Sequence, residues 1–223
     1  MVERRSVSVP LGRLHCITDT RPGADPIAVA RAVLAAGAPV LQVRVADSYT
    51  DRDAFDLAIH LKDLCDAAGA TCLINDRLDV ALAVEAHGGH VGARDLPVPA
   101  ARGILGGHAL VGGTCREPET ARALRRAGAS YLGAGPAFAT TTKDGLPDPL
   151  GPERIGRIAA AVDIPVIAIG GVTAERVDAL IAAGAHGVAV VGAISRAADP
   201  YRATRDLLDA VEASVRKREG NST

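Results

Sequence analysis

Aromatic side chains are nearly missing from this sequence of 223 residues: two Phe, three Tyr and no Trp make up 2% of it. Its core must therefore be built from the Ala, Val, Leu and Ile that dominate a 48% apolar content. Neither sign of charge is in excess, with a formal net charge of −1 and a pI of about 6.6. Nucleic-acid and membrane-surface partners both need a basic face, so neither is expected. The four cysteines (Cys16, Cys65, Cys72, Cys115) contain no C-x-x-C pair that would suggest a metal knuckle. They read as small core or surface thiols. No stretch approaches the roughly 18 consecutive apolar residues of a membrane span. The opening MVERRSVSVP has charge but no apolar run behind it. A reduced, cytoplasmic, soluble protein is the expectation.

Lysine is scarce as well. Only Lys62, Lys143 and Lys217 occur among 25 basic residues, and the first and last lie in charged, helix-like stretches. Lys143 closes the glycine- and threonine-rich segment GAGPAFATTTKDG, where a flexible cation needs a reason.

What the sequence does contain is an alternation. Short strand-like runs (LHCIT, VLQVRV, TCLIN, GHVGA, ALVGGT, YLGAG, PVIAIG and GVAVVG) are each followed by an Ala/Leu/Arg-rich helical pattern. Such alternation predicts a parallel sheet with crossover helices. Between the first two runs, a helix from Pro26 is expected to end at Gly37. The tetrapeptides AAGA or RAGA recur before strands at Ala35, Ala67, Arg126 and Ala182, each placing glycine where a helix should terminate. Doubly wound sheets usually have five or six strands, so eight units favour closure: an α/β chain folded as a single (β/α)8 TIM barrel over residues 1–223. The polar stretches at about 1–10 and 216–223 read as frayed ends.

In such a barrel the chemistry sits just after the strands, and the polar residues fall there. Asp76 and Asp95 follow the third and fourth strands, where their carboxylates can converge. Two close carboxylates call for a cation between them, and Mg²⁺ takes one or two together with substrate oxygens; each is otherwise a helix N-cap. Gln42 and Arg44 alternate with Leu41, Val43 and Val45 and share one face of the second strand. Arg44 is either a phosphate fork or half of an interior salt bridge. Asn75 could hold a ligand or cap a helix, and a buried Gln42 amide must be paired. Gly170, Gly171 and Gly192 sit where barrels often bind phosphate. The hydroxyls of Thr140, Thr141 and Thr142 with the Lys143 ammonium suit a loop folding over anions. The six histidines read as structural or surface residues, with His90 on the fourth strand the one to watch.

The ordered set ITD (Ile17 to Asp19), QVR (Gln42 to Arg44), INDRLDVALAV, HVGARDLP, GASYLGAGPAFATTTKDG, PVIAIGGV and GVAVVGAIS resembles the thiamine-phosphate synthase family from about Leu14 to Ser195. The resemblance implies a (β/α)8 transferase (EC 2.5.1.3) joining a pyrimidine diphosphate to a thiazole phosphate or its carboxylate, with release of pyrophosphate. It implies Asp76 and Asp95 as Mg²⁺ ligands, and Arg44 and Lys143 as the cations that assist catalysis. The segment Gln42, Val43, Arg44, Val45 and Ala46, with Asn75, Thr114 and Lys143, would hold the pyrimidine diphosphate. Thr140, Thr141, Thr142, Gly171 and the backbone at Val191 and Gly192 would hold the thiazole phosphate. Departures from the family pattern are Ala46 for a lysine, Ala93-Arg94 where a glutamine is common, and Thr114 and Gly192 where serine is usual. Arg94 or Arg116 could compensate for the lysine lost at 46. A thiazole tautomerase-like isomerase, a Schiff-base aldolase using Lys143, and a non-catalytic barrel binding thiazole or thiamine phosphate are the competing readings. A monomer and a homodimer are both compatible with the sequence.

Overall fold

The computed structural model describes residues 11–140, 145 and 147–220. The first half of the chain alternates β1 (Leu14–Ile17), α1 (Pro26–Ala35), β2 (Val40–Val43), α2 (Asp51–Ala68), β3 (Thr71–Asn75), α3 (Leu78–Ala83), β4 (Gly88–Val91) and α4 (Val98–Leu105). The second continues through β5 (Leu110–Cys115), α5 (Pro118–Arg126), β6 (Tyr131–Ala134), α6 (Gly151–Ala159), β7 (Val166–Ile169), α7 (Ala174–Ala182) and β8 (Gly187–Val190). A short α8 (Gly192–Ser195) and a long α9 (Pro200–Gly220) follow. All eight strands are parallel and in sequence order, and β8 pairs back onto β1 through Leu14↔Val188 and Cys16↔Val190, so the sheet closes into the expected (β/α)8 barrel.

The recurring Ala/Arg-Ala-Gly-Ala tetrapeptides explain how helices hand over to strands. Gly37, Gly69, Gly128 and Gly184 all adopt positive φ, which costs glycine little. The following alanine N–H then reaches back to a carbonyl in the helix: Ala38 to Val33 at 3.0 Å, Ala70 to Cys65 at 2.8 Å, Ala129 to Leu124 at 3.0 Å and Ala185 to Leu180 at 3.1 Å. This is the Schellman closure, and each of those alanines is buried where the helix meets the sheet.

Alternation along the strands divides the core. Leu14, Cys16, Leu41, Val43, Cys72 and Ile74 face outward into the layer under the helices. Ile17, Val40, Leu73, Tyr131, Ile167 and Ala189 fill the barrel. All four cysteines are free and buried. The end expected to fray from Arg216 is instead helical through Gly220. Leu207 and Val211 bury against the barrel, Lys217 pairs with Asp178 at 2.9 Å, and Arg218 donates to the Ile181 and Ala185 carbonyls. That anchoring outweighs the polar composition which suggested fraying.

Candidate functional site

The C-terminal ends of the strands open on a cavity of about 690 Å³, a size suited to small-molecule ligands. Its wall over β2 to β5 carries Gln42, Arg44, Asn75, Asp76, His90, Asp95 and Thr114. Gln42 is paired as a buried amide must be: its Nε2 donates to Asn75 Oδ1 at 2.8 Å. Arg44 lies one residue past the end of β2 rather than on it. There its N–H and C=O leave the strand ladder for the Thr18 hydroxyl, at 2.8 and 2.7 Å.

Neither aspartate is a helix cap. The helix after Asp76 is capped at Arg77 and the helix after Asp95 at Pro97, in both cases without a side-chain hydrogen bond. Asp76 instead holds a left-handed backbone with φ of 63°, an unusual state for a residue with a side chain, and one that clusters at functional sites. Its N–H donates to the His90 carbonyl at 2.9 Å, fixing it to β4. Asp95 accepts the Gly92 N–H at 2.7 Å. A side chain at position 92 would crowd that oxygen, since a Cβ there would lie 2.8 Å from Asp95 Oδ2. Both carboxylates thus line one cavity on neighbouring loops.

The cavity floor is a row of three rings within the barrel, meeting edge-on and tilted. Tyr131 lies between His15 and His90 with ring centroids 5.5 Å from each. His90 bonds the Tyr131 hydroxyl at 3.1 Å with Nδ1 and the Thr114 hydroxyl at 2.9 Å with Nε2, so one ring nitrogen donates and the other accepts. Burial pushes His15 down to about 3 and His90 down to about 4, keeping both neutral. Glycine makes the room: a Cβ on Gly112 would sit 2.2 Å from Tyr131 Cζ and 2.4 Å from His90 Nδ1.

The opposite wall is built by the ends of β6 to β8, through Gly135, Pro136, Ala139, Thr140, Gly170, Gly171, Val191, Gly192 and Ala193. Gly170 and Gly171 have φ of 96° and 63°. A Cβ on Gly171 would meet the Ala139 carbonyl at 2.5 Å, so the close approach of the loop after β6 requires glycine here. Two arginines that the sequence reading did not single out complete this wall, Arg176 and Arg196. Arg176, on the first turn of α7, donates to the Gly171 carbonyl at 2.7 Å and lies 4.8 Å over the Phe138 ring. A lone arginine in the helix after the Gly-Gly turn is the signal that could have found it.

Other expected site residues fall elsewhere. Val43 and Val45 pack outward, as the two-residue period beside Gln42 and Arg44 demands. Ala46 stays off the cavity wall; its N–H donates to Thr20 Oγ1 at 2.8 Å. Arg116 does not line the cavity; its guanidinium donates to the Gly135 and Asp148 carbonyls at 2.7 and 2.8 Å. Arg94 is exposed and does not line the cavity. Thr141, Thr142 and Lys143 lie outside the described residues.

A closed parallel barrel with a cavity at its strand ends, a carboxylate pair on one wall and glycine turns on the other has the layout of an enzyme acting on small molecules. The family follows from comparison. A model described as thiamine monophosphate synthase matches residues 14–194. A thiamine-phosphate synthase of Salinispora arenicola is 60% identical over 203 residues, spanning 90% of this chain and 98% of that one. Another from Moorella thermoacetica is 40% identical over 205 residues, spanning 91% and 97%. The solved thiamine phosphate pyrophosphorylase from Pyrococcus furiosus superposes with a TM-score of 0.82 at 32% identity, covering 91% of this chain and 96% of that one. The chain belongs to the thiamine monophosphate synthase family and is a transferase. No helix of the described residues is long and apolar enough to cross a membrane.

Proposed function

We propose that this chain joins a pyrimidine diphosphate to a thiazole phosphate, giving thiamine phosphate and pyrophosphate. The observation that carries this reading is the two-ended cavity. Arg44, Asn75, Asp76, Asp95 and Thr114 gather over β2 to β5, and the glycine turns with Val191 and Gly192 gather over β7 and β8. Two anionic substrates fit such a site with their phosphates apart and their rings meeting over the His15–Tyr131–His90 floor.

The roles follow from residue chemistry. Arg44 presents a planar fork to the diphosphate oxygens, and the coupled amides of Gln42 and Asn75 with Thr114 offer hydrogen bonds to the pyrimidine end. Backbone N–H groups at Gly171, where a side chain would obstruct, and at Gly192 offer donors to the thiazole phosphate. Resemblance assigns Lys143 to the pyrimidine diphosphate and Thr140 to Thr142 to the thiazole phosphate, and Thr140 lines the cavity. Asp76 and Asp95 fit a Mg²⁺ ion, being hard oxygen donors on one cavity wall that no helix uses as caps. Bound there, Mg²⁺ would neutralise the diphosphate and make it a better leaving group.

In the reaction the thiazole nitrogen supplies the electron pair for the new C–N bond to the exocyclic methylene. The methylene C–O bond breaks and its electrons leave with pyrophosphate. No side chain has to act as nucleophile or base, which agrees with the weak basicity that burial gives the two floor histidines. The enzyme contributes alignment and charge stabilisation. Four free, buried thiols support a reducing, cytoplasmic setting.

The test is turnover of both substrates with Mg²⁺, following thiamine phosphate and pyrophosphate together. Equimolar products that EDTA abolishes are expected. Ligand binding without product would sink the proposal.

A further inference from the structure

The Ile17-Thr18-Asp19 segment belongs to the family pattern, yet Thr18 and Asp19 stay off the cavity wall. Thr18 is 3% exposed. Its own N–H makes the last bond of the β1–β2 ladder, to the Gln42 carbonyl at 3.0 Å. Beyond that point the strands part, and the Thr18 hydroxyl takes over from the ladder. Oγ1 accepts the Arg44 N–H at 2.8 Å and donates to the Arg44 carbonyl at 2.7 Å. One side chain thus grips the main chain of a single residue on both sides. Thr20 repeats half of that grip one step on, accepting the Ala46 N–H.

We propose that Thr18 is a positioning residue for the reaction: its hydroxyl fixes the Arg44 backbone so that the guanidinium is aimed at the diphosphate. This rests on the assignment of Arg44 given above. It is specific to a hydroxyl. Valine at 18 has nearly the same shape but leaves the Arg44 N–H and C=O without their partner, and a backbone group so deprived will move to find another.

The experiment is a double-mutant cycle on the full chain. It combines Thr18→Val with Arg44→Ala, and sets Thr18→Ser and Thr18→Cys beside them. Steady-state constants are measured for each substrate, and inorganic pyrophosphate with Mg²⁺ is titrated calorimetrically. Thr18→Val should lower kcat/KM for the pyrimidine diphosphate about ten- to hundredfold, leaving KM for the thiazole phosphate in place. Cysteine, a weak donor, should fall between valine and serine, and serine should restore the wild-type constants. In the Arg44→Ala background, Thr18→Val should add nothing.

A merely structural Thr18 predicts the opposite: losses that multiply with Arg44→Ala and weaken both substrates alike. Either result overturns the proposal. If valine prevents folding, the serine–cysteine comparison decides in the same way. Should Arg44→Ala itself leave pyrophosphate affinity unchanged, the Arg44 assignment falls and the positioning role falls with it. Loss on Arg44→Ala without any effect at Thr18 would overturn the positioning role alone.

Discussion

Asp76 combines a carboxylate on the cavity wall with a backbone that disfavours side chains, and substitution can separate the two. At φ of 63°, an L-residue carries about 1–2 kcal/mol of strain relative to glycine, with aspartate near the low end because its short polar chain tolerates this region. Asp76→Gly releases that strain but adds freedom to the unfolded chain, about 0.4–1 kcal/mol in the other direction. The two nearly cancel, so Asp76→Gly should melt within about 4 °C of wild type for a domain of this size. Asp76→Ala keeps the strain with no polar group to relieve it and should lose up to about 1 kcal/mol. Both remove a carboxylate, so Mg²⁺-dependent turnover should fall about ten- to hundredfold in each, as loss of a charged contact used in the transition state implies. Thermal melts beside turnover at limiting and saturating Mg²⁺ read the two effects apart. Glycine destabilising by more than about 3 kcal/mol would mean that the carboxylate holds the fold. Full activity in Asp76→Gly would remove it from the site.

Three further outcomes are expected. His15 and His90 are depressed from 6.5 to about 3 and about 4 by burial, so above pH 6.5 neither is protonated in the folded or the unfolded chain. As pH falls below 6.5 only the unfolded chain takes up these protons. Stability should therefore drop from pH 6.5 to about 4, by about 3 kcal/mol for His90 alone; urea melts that stay flat across this window would refute the burial account. Gly112→Ala must displace the enclosed Tyr131 and His90 rings and should cost about 3 kcal/mol, whereas Gly103→Ala, with open space in α4, should gain about 0.5–1 kcal/mol; equal melting temperatures would contradict both. Ala46→Lys restores a cation beside Arg44 and should raise turnover roughly tenfold, with no change meaning that position 46 does not reach the diphosphate.

The barrel was legible because each of its eight strands carries a buried run and is followed by an amphipathic helix, and because the Ala-Gly-Ala closures mark where helices stop. Asp76, Asp95, Gln42, Asn75 and Thr114 were legible as cavity residues for a related reason: they are polar positions inside or after otherwise buried strands, at the strand ends where a barrel opens. Arg176 and Arg196 were not, since an arginine in a helix or just past its end normally points to solvent and only the turn of the barrel brings these two to the mouth. Val43 and Val45 entered the site as neighbours of Arg44, although the strand period itself turns them away. The work of Thr18 escaped because a threonine at a strand end looks like β-propensity until its hydroxyl is seen spanning two backbone atoms of another strand.

The buried thiols have a practical consequence. Cys16 in β1 and Cys115 in β5 are pushed up to about 12 by burial, and Cys72 in β3 is raised by its contact with Cys65 in α2. At pH 8 about one in ten thousand of the first pair is thiolate, and none of the four is within reach of a reagent in the closed barrel. Alkylation can proceed only when a stave of the barrel lifts. The rate at which each cysteine is labelled is thus a clock for its own strand or helix, already wired into the chain, that records which seam of the barrel opens first.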